Sequence, residues 1–184
     1  MKSKTLLSTP ALNSTLPHLL KLFGLLSVCV VVGNGCKTTP NYSDTTPPTI
    51  DWTVANLTKG AETKVTGSGS VHAKHGDQLR VTACVNDDGG VKELTSSSTF
   101  AYSCSGGGIG QNTGPSLGAI ETTPLGLDAN GEAWSRYCRI YTIGLDFHCS
   151  SGLNFNSGSY SFNLSGKNFS GLSASATLGI IVDP

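Results

Sequence analysis

The sequence predicts an all-β fold, a β-sandwich of six to eight short strands. Three observations predict it. Aliphatic and polar residues alternate with a period of two in several stretches, which puts one strand face on a core and the other near water. Clusters of Gly, Asn, Asp and Ser interrupt these stretches at intervals of about ten residues, the spacing of turns in a sandwich. Composition also disfavours helices. Charged residues are 13% of the 184, there is one Met, and Gly numbers 23. Average soluble proteins carry roughly 25% charged residues.

The chain opens with a leader. Lys2, Lys4 and Lys21 precede an apolar run of 12 residues, Leu22–Gly33. A membrane-spanning helix needs about 20 such residues. A basic leader, a short apolar centre and small residues behind it read as a secretory signal over residues 1–35, with a transmembrane anchor as the rival. Lys37–Pro48 is rich in Thr and Pro without apolar periodicity. Residues 36–48 are therefore expected as a solvated linker, and residues 49–184 as the folded domain.

Thr49–Val54 reads as an edge strand with Ile50, Trp52 and Val54 on one face. Glu62–Ala73 reads as a second edge strand, broken at Gly67 and Gly69. In Gln78–Asn86, Leu79, Val81, Ala83 and Val85 alternate with Arg80, Thr82, Cys84 and Asn86, a half-buried strand. Asn86-Asp-Asp-Gly-Gly90 is turn chemistry, expected to reverse the chain so that Val91–Cys104 returns beside it. On that return Phe100, Tyr102 and Cys104 share a face. Ser105–Glu132 is Gly-rich and mostly structureless, a length that points to a functional loop or a flexible excursion. Ala133–Phe147 resumes strand character. Tyr160, Phe162 and Leu164, then Leu172 to Val182 at every second residue, predict a final hairpin that supplies much of the core.

"GDQLRVTACVNDDGGVKEL" resembles the strand B, turn and strand C of bacterial immunoglobulin-like surface domains. "DTTPPTIDW" resembles the Pro-rich stretch that precedes such domains, and "GSYSFNLSGKNFSGLSASATLGIIV" their last hairpin. The resemblance covers most of Thr46–Val182. It implies an immunoglobulin-like antiparallel β-sandwich in a surface setting and carries no catalytic motif. Gly33-Asn-Gly-Cys36 resembles a bacterial lipoprotein junction, which implies lipidation of Cys36. Gly33 stands where such junctions carry Leu, and Gly33 and Gly35 also fit an ordinary small-x-small cleavage site. Lys37 after the Cys resembles lipoproteins passed on to the outer membrane. The partners so implied are a membrane through the lipid anchor and a surface protein or glycan. The location implied is the cell envelope, with secretion as the alternative.

Beyond Cys29 and Cys36 four cysteines remain: Cys84, Cys104, Cys138 and Cys149. An even number in an exported chain argues for two disulfides, with three connectivities open. Cys84 lies on the polar face of its strand, so its bridge is expected on an outer face or to a covering loop. The preferred pairing is Cys84–Cys104 with Cys138–Cys149. No C-x-x-C pair supports zinc.

Charge excludes a nucleic-acid footprint. Three of the 12 basic residues lie in the leader, which leaves nine against 12 acidic ones in the remainder. Among chemical candidates, Asp87 and Asp88 with Asn86 offer a start on the six to eight oxygens that calcium takes, and turn capping is the plainer account. His72 and His75 read as loop histidines, and His148 as the neighbour of a disulfide cysteine. Glu121, Asp128, Glu132 and Asp146 form no pair that the sequence can place for glycosidase chemistry. No G-x-S-x-G elbow or phosphate loop occurs. Trp134, Tyr137 and Tyr141 would stack on sugar rings if exposed in a row; core burial is the favoured reading. No catalytic residue and no cofactor is expected. The expected role is a non-enzymatic structural or adhesive domain, or else a carbohydrate- or calcium-dependent binding module.

Overall fold

The alternation over Gln78–Asn86 does make a strand, but the strand does not end where turn chemistry predicts. The computed structural model describes residues 35–106, 109–110, 121–149 and 152–184. The predicted signal lies almost wholly outside these residues. Among the described residues ten strands are present: β1 Gly35–Thr38, β2 Thr49–Asn56, β3 Ala61–Thr66, β4 Gly69–Lys74, β5 Gln78–Cys104, β6 Ile109–Gly110, β7 Glu121–Pro124, β8 Ala133–Gly144, β9 Phe155–Asn168 and β10 Ser173–Asp183. The described residues contain no helix.

All ten strands belong to one hydrogen-bonded sheet, whose main path runs β1-β8-β5-β9-β10-β4. The 27-residue β5 is its spine. Residues 79–86 pair with β2 on one side, and 78–86 pair with β8 on the other. Residues 91–104 pair with β9, while β7 and β6 take the opposite edge. The strand thus leaves one set of neighbours and joins another, as corner strands do when a sheet curls on itself. The expected reversal at Asn86–Gly90 is corrected: these residues bend one strand and do not close a hairpin.

The bend is a large bulge. Between Asn86 and Val91 the partners on β8 advance only from Arg136 to Trp134, so three residues of β5 are left over. Gly90 makes the bend possible. It sits at φ +97°, and a Cβ there would lie 2.5 Å from the Ala133 Cβ. The bulge also switches the buried parity. Odd positions Leu79, Val81, Ala83 and Val85 are buried before it, and even positions Leu94, Ser96 and Ser98 after it.

Curling brings β2 against β9 and β10. Ile50, Trp52 and Val54 of β2 and the odd residues of β5 face Phe162 and Leu164 of β9 and Ala176, Leu178, Ile180 and Val182 of β10, all in one buried cluster. Each fully buried Leu, Ile, Val or Phe contributes about 1.5–3 kcal/mol relative to exposure. Gly166 of β9 abuts Val85, so a larger residue would wedge the two halves apart. At one end Phe100, Tyr102, Phe147, Phe155 and Tyr160 stack with ring centroids as close as 4.5 Å. The face shared by Phe100 and Tyr102 is therefore real and packs inward. The final hairpin forms as expected, in register from Ser173↔Lys167 to Val182↔Gly158.

Other expectations change. Thr49–Val54 is not an edge: β2 lies between β3 and β5. Glu62–Ala73 becomes two strands, β3 antiparallel to β2 and β4 parallel to β10. The break comes at Gly67, which has φ +67°. Part of Ser105–Glu132 is ordered as β6 and β7, and residues 107–108 and 111–120 lie outside the described set. The stretch 36–48, expected as a solvated spacer, is fastened to the domain. β1 pairs with β8, the Asn41 N–H donates to the Gly89 carbonyl at 2.8 Å, and Pro48 is buried.

Among the described residues two disulfides join cysteine pairs, Cys84–Cys138 and Cys104–Cys149, with Cα separations of 4.1 and 5.9 Å. The preferred pairing of Cys84 with Cys104 and Cys138 with Cys149 is corrected. It assumed that Asn86–Gly90 reverses the chain. Without that reversal Cys84 and Cys104 sit far apart on one strand, and Cys84 instead faces Cys138 in register across β5 and β8. Two such bonds suit folding in an oxidising, extracellular type of environment.

Candidate functional site

The bend of β5 collects the most unusual chemistry among the described residues. Asp87 continues the buried parity of Val85, so the strand carries a carboxylate inward just as it leaves its neighbours. Asp87 is 6% exposed. Its Oδ2 accepts from the Asn168 Nδ2 at 3.2 Å, and its Oδ1 receives no hydrogen bond from the described residues. A buried carboxylate oxygen without a donor is costly.

Asn168, wholly buried at the end of β9, is the hub of this corner. Its Nδ2 also donates to the Thr46 carbonyl at 3.1 Å. Its Oδ1 accepts from the Ser170 hydroxyl at 2.8 Å and the Leu172 N–H at 2.9 Å. One side chain thus ties the closing turn of the last hairpin, the 36–48 stretch and the bend.

Asp44 is the second carboxylate. Its Oδ1 accepts from the Thr46 N–H at 2.8 Å, a local Asx turn that orients the side chain. Its Oδ2 occupies the space where residue 89 would carry a Cβ: a Cβ on Gly89 would sit 2.5 Å away. There Asp44 comes within hydrogen-bond reach of Asp87. Burial pushes the Asp87 carboxyl above the usual carboxylate range. Asp44 pushes it the same way, while the Asn168 amide and the Gly89 main chain oppose. The two carboxylates border a cavity of about 170 Å³, with Thr46, Pro47, Thr49, Asn86 and Asp88 completing its wall and no Lys, Arg or His on it.

A second depression, of about 420 Å³, holds His75, Asp146 and His148. His75 stacks on Phe155 with centroids 4.5 Å apart, and its Nε2 accepts the Phe147 N–H at 2.9 Å. Its ring thus closes the aromatic end of the core. Asp146 lies 3.8 Å from His75 and 3.7 Å from His148. Cys149 is committed to its disulfide, so no thiol nucleophile stands beside these imidazoles. His72 is elsewhere, 3.1 Å from Asp183 on the outer face.

The other sequence candidates are dispersed. Glu121 grips Arg139 through both oxygens, at 2.5 and 2.8 Å, which holds Glu121 below its ordinary range and Arg139 above its own. Asp128 accepts the Asn130 and Glu132 N–H groups at 2.9 Å and pairs with Lys37 at 3.4 Å. No opposed carboxylate pair of the glycosidase kind results. Tyr137 and Tyr141 pack partly into the core. Trp134 meets Tyr137 edge to face with ring centroids 6.0 Å apart and lies under the Lys37 ammonium, 3.6 Å from its ring centroid. With Tyr137 and Tyr141 against the core and Lys37 over Trp134, the three rings present no open stacking row. Cys36 is disulfide-bonded in this structure. Among the described residues no three His, Cys, Asp or Glu side chains converge on a metal-sized point, and no helix is long and apolar enough to cross a membrane.

The sequence singled out Asp87 and Asp88, and the structure separates them. Asp87 turns inward, while Asp88 is exposed and lends its carbonyl to the Thr38 hydroxyl at 3.0 Å. Asp44 and Asn168 were missed. Asp44 lies in the stretch expected as spacer, where the Asx-turn pattern Asp44-Thr-Thr46 was the available signal. Comparison with known proteins finds no family whose model matches this chain and no curated protein that is similar to it.

Proposed function

We propose that this chain is an exported, non-enzymatic binding domain of immunoglobulin-like kind, working in an adhesive or structural role at the cell surface. The observation that carries the reading is the pair of disulfides on the spine of the sheet. Cys84–Cys138 staples the half of β5 before the bend, and Cys104–Cys149 its far end. By loop-closure reasoning each closed loop, with its cysteines 54 and 45 positions apart, is worth about 4 kcal/mol. Such reinforcement suits a domain that works outside the cytosol. The low charge and the sheet edges at β1, β3 and β4 suit contact with a protein or glycan.

A lipid tether at Cys36 is the finer part of this reading. The basic leader and the small residues before Cys36 support it. The disulfide at Cys36 competes with it, because one sulfur cannot hold both a disulfide and a thioether. Intact-mass analysis of the full chain, expressed with its leader and recovered from the cell envelope, tests all of this. Cleavage at or just before Cys36, two protons lost per bridge, and Cys84–Cys138 and Cys104–Cys149 peptides without reductant are expected. Acyl mass on Cys36 would establish the tether, and its absence would leave a secreted domain. Recovery of uncleaved chain with free thiols from the cytosol would overturn the proposal.

A second reading, calcium-dependent binding, is favoured by one observation: the acidic cavity at the bend, bordered by Asp44 and Asp87.

A further inference from the structure

We propose that the bend of β5 is a calcium site, held by the Asp87 Oδ1 and the Asp44 Oδ2 and completed by neutral oxygens and water. The inference stands on the geometry of the corner, whether or not the chain is exported as proposed above.

Four observations converge. Asp87 is 6% exposed, and one of its carboxylate oxygens has no hydrogen-bond donor among the described residues. The strand could have placed an apolar residue there, as it does at Val81 and Val85. A second carboxylate, Asp44, is not merely nearby but oriented: its own turn holds Oδ1, and the missing side chain of Gly89 makes room for Oδ2. The cavity that both border carries three aspartates and no basic side chain. Arg136, the nearest guanidinium on β8, is occupied with Asp51 at 3.0 Å and the Asn86 Oδ1 at 2.5 Å. Two carboxylates pressed together are relieved by a shared proton or by a cation, and none of the lining side chains supplies the positive charge.

The ligand chemistry narrows the cation. Every candidate donor is oxygen: carboxylates of Asp44 and Asp87, with Thr46, Thr49, Asn86 and Asp88 around them. That excludes the softer metals that seek imidazole or thiolate. An irregular wall built from a bulge and an Asx turn suits calcium, which tolerates uneven geometry and takes six to eight oxygens. Magnesium demands a near-ideal octahedron at shorter range. Only two carboxylates converge, so binding is weak, in the range of extracellular calcium modules, about 10⁻⁴–10⁻³ M. A cation here would join β5 at its bend to the 36–48 stretch, and so brace the corner where the sheet changes partners.

The experiment is calcium titration of the purified full chain by calorimetry and by thermal unfolding, beside magnesium and sodium at matched ionic strength and a chelator control. Calcium at about 10 mM should raise the melting temperature by roughly 3 °C, as expected for saturation of a site in that affinity range. Asp44→Asn and Asp87→Asn should each abolish the calcium heat and the shift. Asp87→Asn should melt no lower than the parent in chelator, which shows that its loss of binding is not loss of fold. The absence of a calcium heat in the parent would overturn the site. So would a calcium-dependent shift retained in both variants, or an equal shift with magnesium and sodium.

Discussion

Two buried aspartates bracket the first half of β5, and they have opposite fortunes. Asp77 is 4% exposed and Asp87 6%. On Asp77 a single oxygen accepts from the Lys59 ammonium at 2.7 Å, the Asn56 amide at 2.8 Å and the Lys74 N–H at 2.9 Å. Burial pushes its carboxyl up, and those donors outweigh burial and hold it below the usual range. Asp87 has only the Asn168 amide and the Gly89 main chain in its favour and faces a second carboxylate, so burial prevails. Similarly low exposure thus accompanies opposite charge preferences, because Asp77 has the stronger donors and Asp87 the heavier desolvation. One aspartate is finished by the chain itself; the other is built as if to be finished by something bound.

That contrast can be broken in order of expected effect. Asp77→Ala should cost about 3 kcal/mol, because three donors, one of them charged, lose a common acceptor. A chemical-denaturation midpoint unchanged from the parent would refute the reading of Asp77. Asn168→Asp is nearly isosteric but sets a third carboxylate against Asp87 and Asp44. It should cost about 2 kcal/mol without calcium, and calcium should recover part of that loss. Gly90→Ala should cost a similar amount, about 2 kcal/mol, through positive φ and the clash with Ala133. This is the purest test of the bend, since it alters no charge. Asp87→Asn should instead stabilise the chelated protein by up to about 1 kcal/mol; a loss as large as that of Asp77→Ala would erase the distinction between the two sites.

The smallest effect is in pH. The folded Asp77 titrates below its unfolded value of about 3.9, so the stability it supplies is complete above that value and is lost as pH falls through the lower folded one. Acid titration of stability in the parent and in Asp77→Asn should diverge only in that acidic window. Parallel curves would show that the Lys59 contact is too solvated to matter.

Much of the fold was legible because alternation is local. Ile50, Trp52 and Val54, the odd residues of Leu79–Val85, Tyr160, Phe162 and Leu164, and Ala176, Leu178, Ile180 and Val182 are buried as their spacing requires, while Leu172 at the start of the last alternation is exposed. Asn86–Gly90 was misread because the same residues that reverse a chain also make a bulge. The outcome depends on whether the following segment pairs back on β5 or onward to β9, and that is a long-range choice. The error propagated to the cysteines: a false hairpin put Cys84 beside Cys104. Of the candidate site, Asp87 was visible in the turn cluster. Asp44 was not, because a Thr- and Pro-rich stretch carries no periodicity to say that it docks.

The sequence by itself determined a β protein, the parity of its buried faces, the closing hairpin and the presence of two disulfides among four cysteines, since each follows from neighbours within a few residues or from composition. Tertiary structure alone decided that one strand spans both halves of the curled sheet, that Cys84 meets Cys138, and that Asp44 meets Asp87. Those contacts join segments more than 40 residues apart. Which distant segments meet is set by the shared burial of whole faces, and no local pattern encodes it.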